Sequence, residues 1–511
     1  MQPNTQTSQQ PTPKEFFEQA KRLMSLGDVF EASKRAGKLR AHFPEEPPIL
    51  AIHGLALAKL GVHTQGLKDM RASSALTLQA LNDGEEEDPT RPRVVDQYLH
   101  LQSEITRSLT ILGEFQSAHE EIQPALEMDP DRADVVCSLA ELHSAQGDTD
   151  KALEVIDSAL SRKLDELPVQ ITCAKVLDYS KNPDENRMRV CASRLSELSE
   201  EVGLLAGELM QALRALGTLR DRLGEYPEAF SSFRRAAKLR RGGFDPKAHA
   251  QITSQLIKNW TVEGISSATR PEGDVGASRV FLTGSVHSGM PEVQALLERL
   301  PNTVSIGPIE SLGMMCSTQL KAARGVLRNV VPTPAGQRGD QINNMAMGYS
   351  QQCDAAARMS GLFTIDTHPH NLPLLGAAAM GLRGIKVINC RRDPIEHALS
   401  IYCDEMPGNH GYAGDLISTA SFVKDSDGLM DHWTSVLNDP NVGAKVINVQ
   451  YDQVLSDPVA VLRQLAVAFD VEVTDEMTAG LEPSQPTGPG ARADKYTTAN
   501  KQLGEFFSSE S

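Results

Sequence analysis

The stretch VFLTGSVHSGMPEVQALLERLP, residues 280–301, decides how the second half of this chain is built. It opens as a short apolar run of strand type. The run breaks at a loop carrying Gly284 and Gly289 in G-x-x-x-x-G spacing, and an amphipathic helix follows. A second stretch, IKVINCRRDPIEHALSIY at residues 385–402, repeats the order of apolar strand, polar loop and amphipathic helix. Its loop carries Arg391, Arg392 and Asp393. A loop between strand and helix can hold a phosphate on backbone N–H groups at the helix N-terminus. Two such units point to a ligand with two phosphate groups.

Outward from these stretches lie further strand-type runs, LFTID at 362–366 and AKVINVQY at 444–451, with helical segments between them. Strands alternating with helices predict a parallel α/β sheet. Open sheets of that kind bind ligands at the carboxyl ends of their strands, where both loops fall. Upstream, TVEGISSATRPEGDVGAS at 261–278 is rich in Gly, Ser and Pro and reads as a linker.

The first half repeats. Gly27 and Gly61 are 34 residues apart, as are Gly113 and Gly147. Around the second pair the whole frame recurs: Ala118 with Ala152, Ile122 with Ile156, Ala125 with Ala159. Glycine permits a tight turn between helices, small alanines permit close helix approach, and Pro44 and Pro130 stop the second helix of their units. Units of helix, turn and helix are predicted to begin near residues 13, 47, 99, 133 and 210. Residues 167–208 keep helical periodicity with a weak repeat signal, and the acidic GEEEDP at 84–89 reads as an exposed loop. The period resembles that of the tetratricopeptide repeat. That resemblance implies an α-solenoid whose groove takes a protein or peptide partner. The predicted layout is a disordered tail at 1–12, the repeat solenoid at 13–260, the linker at 261–278 and the α/β domain at 279–500.

Composition bounds the function classes. At 511 residues two or more domains are expected. A net charge of -17 argues against general nucleic-acid binding and against adhesion to anionic membranes. An anion ligand then requires a locally built positive site. Seven cysteines with no C-x-x-C, a polar N-terminus without an apolar signal region, and no run of about 18 apolar residues predict a cytoplasmic protein.

The G-x-x-x-x-G loop lacks the Lys and Ser/Thr of a nucleoside triphosphatase, since Met290 and Pro291 follow Gly289. GSVHSGMP instead resembles the sulfotransferase loop G-x-P-R-S-G-T-T, with Gly284, Ser288 and Gly289 matching. CRRDPIEHALSIY resembles that family's segment for the donor's 3'-phosphate, with Arg392 and Ser400 on the binding positions. HPHNLPLLGAAAMGLRGIKVINCRRDP and VQYDQVLSDPVAVLRQLAVAFDV fall in family order, and the layout with N-terminal repeats resembles repeat-containing bacterial sulfotransferases of the tyrosylprotein type. The resemblance implies a P-loop-like α/β domain. It also implies transfer of a sulfuryl group from 3'-phosphoadenosine-5'-phosphosulfate to a hydroxyl acceptor such as a protein tyrosine, without a metal. By family position Glu310 is the candidate base, and His287 replaces the loop's basic residue as the source of leaving-group charge.

The chain departs from the pattern in several places. Arg becomes His287, the two threonines become Met290 and Pro291, and the Lys after Asp366 becomes Thr367. The C-terminal basic loop has Arg492 and Lys495 as nearest candidates. These losses keep a second class open, a catalytically inactive sulfotransferase-like scaffold acting through its repeats. A third reading is a nucleotide sensor that holds the bisphosphate through Arg392 and Ser400 without chemistry. His368 and His370 beside Asp366 form an H-x-H pair, but spacing supplies no third and fourth ligands, so no metal is expected. His432 and Trp433 read as part of a helix with a half-buried aromatic.

Overall fold

The computed structural model describes residues 13–25, 29–85, 87–162, 164, 166–180, 183–240, 242–268, 275–309, 311–319, 339–359, 361–404, 406, 410–484 and 492–509. These divide into two compact units, one within 1–242 plus 405–410, the other within 243–404 plus 411–511.

Among the described residues the first unit holds six helical pairs: α1 (Pro13–Ser25) with α2 (Val29–His42), α3 (Pro47–Lys59) with α4 (His63–Asp83), α5 (Arg91–Ile111) with α6 (Phe115–Met128), α7 (Ala133–Ala145) with α8 (Thr149–Ser161), α9 (Leu167–Tyr179) with α10 (Glu185–Leu198), and α11 (Ala206–Arg222) with α12 (Tyr226–Lys238). The first helices of successive pairs stack, α5 on α7, α7 on α9 and α9 on α11. The turns at Gly61, Gly113 and Gly147 have φ between +73° and +83°, a backbone region costly to residues with a Cβ. Gly27 lies outside the described residues. Ala118, Ile122 and Ala125 and their repeats Ala152, Ile156 and Ala159 are all fully buried.

The weak stretch after residue 167 is a complete pair. Its turn carries no glycine, and α10 starts instead on Asp184, whose side chain accepts from the Asn186 and Arg187 N–H groups. The third and sixth pairs start at 91 and 206, ahead of the predicted 99 and 210. The GEEEDP loop joins α4 to α5, both one or two turns longer than most of their neighbours, and its described residues are exposed.

The second unit opens on α13 (Pro246–Asn259), which the sequence grouped with the repeats. Its Leu256 and the following Trp260 enter this unit's core. The chain continues as α14 (Val262–Ser266), β1 (Arg279–Thr283), α15 (Met290–Leu297), β2 (Thr303–Gly307), α16 (Ser311–Gln319), α17 (Gly339–Ala357), β3 (Phe363–Asp366), a 3-10 turn (Pro369–Leu374) and α18 (Leu375–Gly381). Then follow β4 (Lys386–Arg391), α19 (Pro394–Cys403), a 3-10 turn (Gly411–Gly414), α20 (Leu416–Leu437), β5 (Lys445–Gln450), α21 (Tyr451–Ser456), α22 (Pro458–Ala468), α23 (Asp475–Thr478), α24 (Arg492–Lys495) and α25 (Thr497–Ser509). The strands form one sheet in order β2-β3-β1-β4-β5, and every described pairing is parallel.

Helices cover both faces of the sheet, which is why β1 is buried throughout and apolar at its centre, residues 280–282. Val280, Leu282 and Ile388 pack with α15 and α22. Phe281 and Val387 pack on the other face with Tyr349 of α17 and Trp433 of α20. Trp433 is fully buried, not half-buried, because Trp260 and Gly376 close over it and its Nε1–H donates to the Leu372 carbonyl at 2.9 Å. Strand β2 went unread in the sequence, being a half-buried edge strand without a continuous apolar run. This architecture places the ends of β1 and β4, adjacent strands, side by side.

Candidate functional site

The loop after β1 is a turn closed by the Ser288 N–H donating to the Ser285 carbonyl at 3.1 Å. His287 sits third in that turn with φ of +62°, and Gly289 follows at +93° as the cap of α15. A Cβ on Gly289 would run into the Tyr451 ring, and one on Gly284 into Ser288 Oγ and the Cys390 backbone. Both glycines are therefore required by close packing at this corner. The Ser288 side chain folds back beneath the loop, 1% exposed, and its Oγ has no hydrogen-bond partner among the described residues.

After β4, Asp393 caps α19 by accepting from the Ile395 and Glu396 N–H groups, and Pro394 takes the first turn, where a missing N–H is harmless. This cap directs Arg392 toward the first loop. Its Nη1 donates to the His287 carbonyl at 3.1 Å, and its guanidinium lies 4.7 Å from the centre of the Tyr451 ring. Gly284, His287, Ser288, Gly289 and Arg392 thus form one corner. Ser400 lies two turns further along α19, fully buried, its Oγ unpartnered among the described residues. Glu310 lies outside the described residues. Arg391 points the other way, to Asp431 and the Asp427 carbonyl of α20, where burial raises the Asp427 carboxyl to about 6.

A residue the sequence reading passed over lies beneath this corner. His397 of α19 is 2% exposed, and its Nε2–H donates to the Val286 carbonyl at 2.9 Å, with Ser285 Oγ at 3.2 Å. Its Nδ1 is buried with no partner among the described residues. Burial pushes the imidazole down to about 4, with Arg392 and His287 adding repulsion. No spacing rule signals this role, because the contact joins residues 111 apart.

The other singled-out residues have structural partners. Asp366 is buried, accepts from Tyr349 Oη, Asn371 Nδ2 and the His368 N–H at 2.8–2.9 Å, and is raised above the usual carboxylate range by burial. His368 caps the following 3-10 turn by accepting from the His370 N–H at 3.1 Å, and burial lowers it to about 4. Among the described residues no group of three His, Cys, Asp or Glu side chains is placed to hold a metal. Thr367 donates its N–H to Gly307. Arg492 is buried in an ion pair with Asp404 at 2.8 Å. Its N–H and that of Ala493 donate to the Glu396 carboxylate, which docks α24 on α19. No helix among the described residues is long and apolar enough to cross a membrane.

Two family models agree with this architecture. The sulfotransferase family model matches residues 326–475, and the tetratricopeptide repeat model matches residues 109–175. These matches identify a sulfotransferase domain in the second unit and tetratricopeptide repeats in the first. The first span includes Arg392 and Ser400 and begins after the 284–289 loop. An uncharacterized protein of Aquifex aeolicus is 20% identical over 250 residues, which cover 47% of this chain and 32% of that protein, so the chain spans about a third of that curated relative. A tetratricopeptide repeat protein from Parabacteroides merdae aligns over 45% of this chain and 80% of its own, with 12% identity and a TM-score of 0.33. The sulfotransferase STF9 from Mycobacterium avium aligns over 63% of this chain and 94% of its own, with 14% identity and a TM-score of 0.27.

Proposed function

We propose that the second unit binds 3'-phosphoadenosine-5'-phosphosulfate and transfers its sulfuryl group to a hydroxyl acceptor, with a protein or peptide tyrosine as the leading candidate. The observation that carries this reading is the corner where Arg392 reaches across to the loop of Gly284, Ser288 and Gly289. The residues fit the donor's two anionic ends. Arg392 and Ser400 would hold the 3'-phosphate through a charged fork and a hydroxyl. Ser288 and the loop amides would hold the 5'-phosphosulfate. Buried hydroxyls without partners are the kind of group an anion satisfies.

In transfer, the bond between sulfur and the 5'-phosphate oxygen breaks and a bond to the acceptor oxygen forms. The acceptor proton passes to a base, Glu310 in this reading. The charge left on adenosine 3',5'-bisphosphate falls beside His287. The repeats would hold a protein partner. Seven buried cysteines, none in a disulfide, support a reducing, cytoplasmic setting.

A second reading has its own support. Pro291 has no N–H to offer an anion, and the Ser288 and Ser400 hydroxyls are at most 1% exposed. In that reading the unit is a scaffold and the repeats act alone. Incubation with donor and a panel of tyrosine peptides and phenols separates the two. Acceptor-dependent formation of adenosine 3',5'-bisphosphate, reduced about tenfold or more in Arg392→Ala, is expected of the enzyme. Formation of no product with any acceptor, together with no donor binding, selects the scaffold.

A further inference from the structure

The turn at Ser285–Ser288 has one feature that ordinary chain preference disfavours. Positive φ at its third residue, with Val286 outside the positive region, makes it a type II turn, whose third position favours Gly or Asn. His287 occupies it instead. Rotating the peptide between Val286 and His287 would convert the turn to type I and relieve His287. One side chain opposes that rotation directly: His397 Nε2–H holds the Val286 carbonyl at 2.9 Å from below. Arg392 Nη1 holds the next carbonyl, that of His287, at 3.1 Å, which the rotation leaves in place. The C=O and N–H of one trans peptide point in opposite directions. With the Val286 carbonyl turned inward to His397, the His287 N–H is turned away from His397.

We propose that His397 is a positioning residue that fixes this peptide so that the His287 N–H, and not the Val286 carbonyl, meets the donor's 5'-phosphosulfate. The proposal rests on the donor-binding reading above. His397 is built for the task. It is fully enclosed, it is held neutral by burial, and its one bonded nitrogen must be the protonated one because a carbonyl only accepts. The unpartnered Nδ1 shows that the ring is kept for its Nε2 side. With the peptide reversed, the carbonyl dipole would face the anion and the loop would repel its ligand. A chain that has already lost an amide at Pro291 depends the more on the one at His287.

The test uses the full chain with His397→Leu, which removes the donor, and His397→Gln, whose amide N–H can replace it. Thermal unfolding first confirms that each variant is folded. Calorimetry then compares 3'-phosphoadenosine-5'-phosphosulfate with adenosine 3'-phosphate, which has a hydroxyl and no anionic group at the 5' position. His397→Leu is expected to weaken the first about tenfold or more and the second less than about threefold, and His397→Gln to restore the first. Equal loss for both ligands, no rescue by Gln, or no loss in Leu overturns the proposal. If the wild type binds neither nucleotide, the donor reading is lost, and crystal structures of the two variants decide the orientation role. A Val286 carbonyl turned outward in His397→Leu and inward in His397→Gln upholds it. A carbonyl turned inward in both overturns it.

Discussion

At the scale of single residues, the corner of the second unit is held by atoms that tolerate no added bulk. Gly289 combines φ of +93° with the Tyr451 ring where a Cβ would stand. Gly289→Ala should cost about 1–3 kcal/mol through strain and displacement of the ring, read as a lowered thermal midpoint. An unchanged midpoint would mean that the loop and Tyr451 are not packed as described. His397 and His368, each lowered to about 4 by burial, make stability depend on pH. Between about pH 6.5 and pH 4 the unfolded chain takes up protons at these sites and the native chain does not. These two sites should therefore lower stability as pH drops through that window, while the Asp427 carboxyl, raised to about 6 by burial, offsets part of the fall. His397→Gln should remove a share of that fall on the order of 3 kcal/mol, measured by urea unfolding near pH 4.5 and pH 7.5. Chain preferences make residue-level identities such as Arg392 and Asp393 legible in the sequence, because cap, proline and basic residue stand together. The contacts of Arg392 and His397 with the 284–289 loop were not legible, since each crosses more than 100 residues.

At the scale of elements, the repeat frame could be read where glycine and alanine mark it and was lost where they do not. Helices α9 and α10 turn without glycine, and α9 is buried almost all round, which blurs its periodicity. The strands were legible where both faces are buried, as in β1 and β4, and illegible in the half-buried edge strand β2. Helix α13 was assigned to the repeats because a helical pattern alone does not say which core it joins. A close approach between α3 and α4 is set by two helical glycines that carry no repeat spacing of their own. A Cβ on Gly54 of α3 would stand 2.8 Å from the Gly66 carbonyl, and one on Gly66 of α4 would stand 2.7 Å from the Gly54 carbonyl. Each carbonyl is fixed backbone that cannot rotate away, and at Gly54 the Met70 side chain stands at 2.7 Å as well. Either Gly→Ala change should destabilise the repeats by about 1–3 kcal/mol in thermal denaturation, and neither should alter nucleotide affinity. The buried Asp69 of α4 ties the same layers, accepting from Arg40 of α2 at 2.8 Å and His53 of α3 at 2.6 Å.

At the scale of the whole molecule, a chain of net charge -17 has to concentrate positive charge where it handles an anion. Arg391 and Arg392 stand at the end of β4, one committed to α20 and the other turned to the candidate loop. The repeats and the α/β domain each build their own buried clusters, so the fold was accessible from periodicity while the chemistry was not. The central claim is that this corner is a working nucleotide site, and calorimetric titration with adenosine 3',5'-bisphosphate tests it most directly, with Arg392→Ala alongside. Micromolar binding by the wild type, weakened about tenfold or more in the variant, is the predicted result. No binding by the wild type, or equal binding by both proteins, would contradict it.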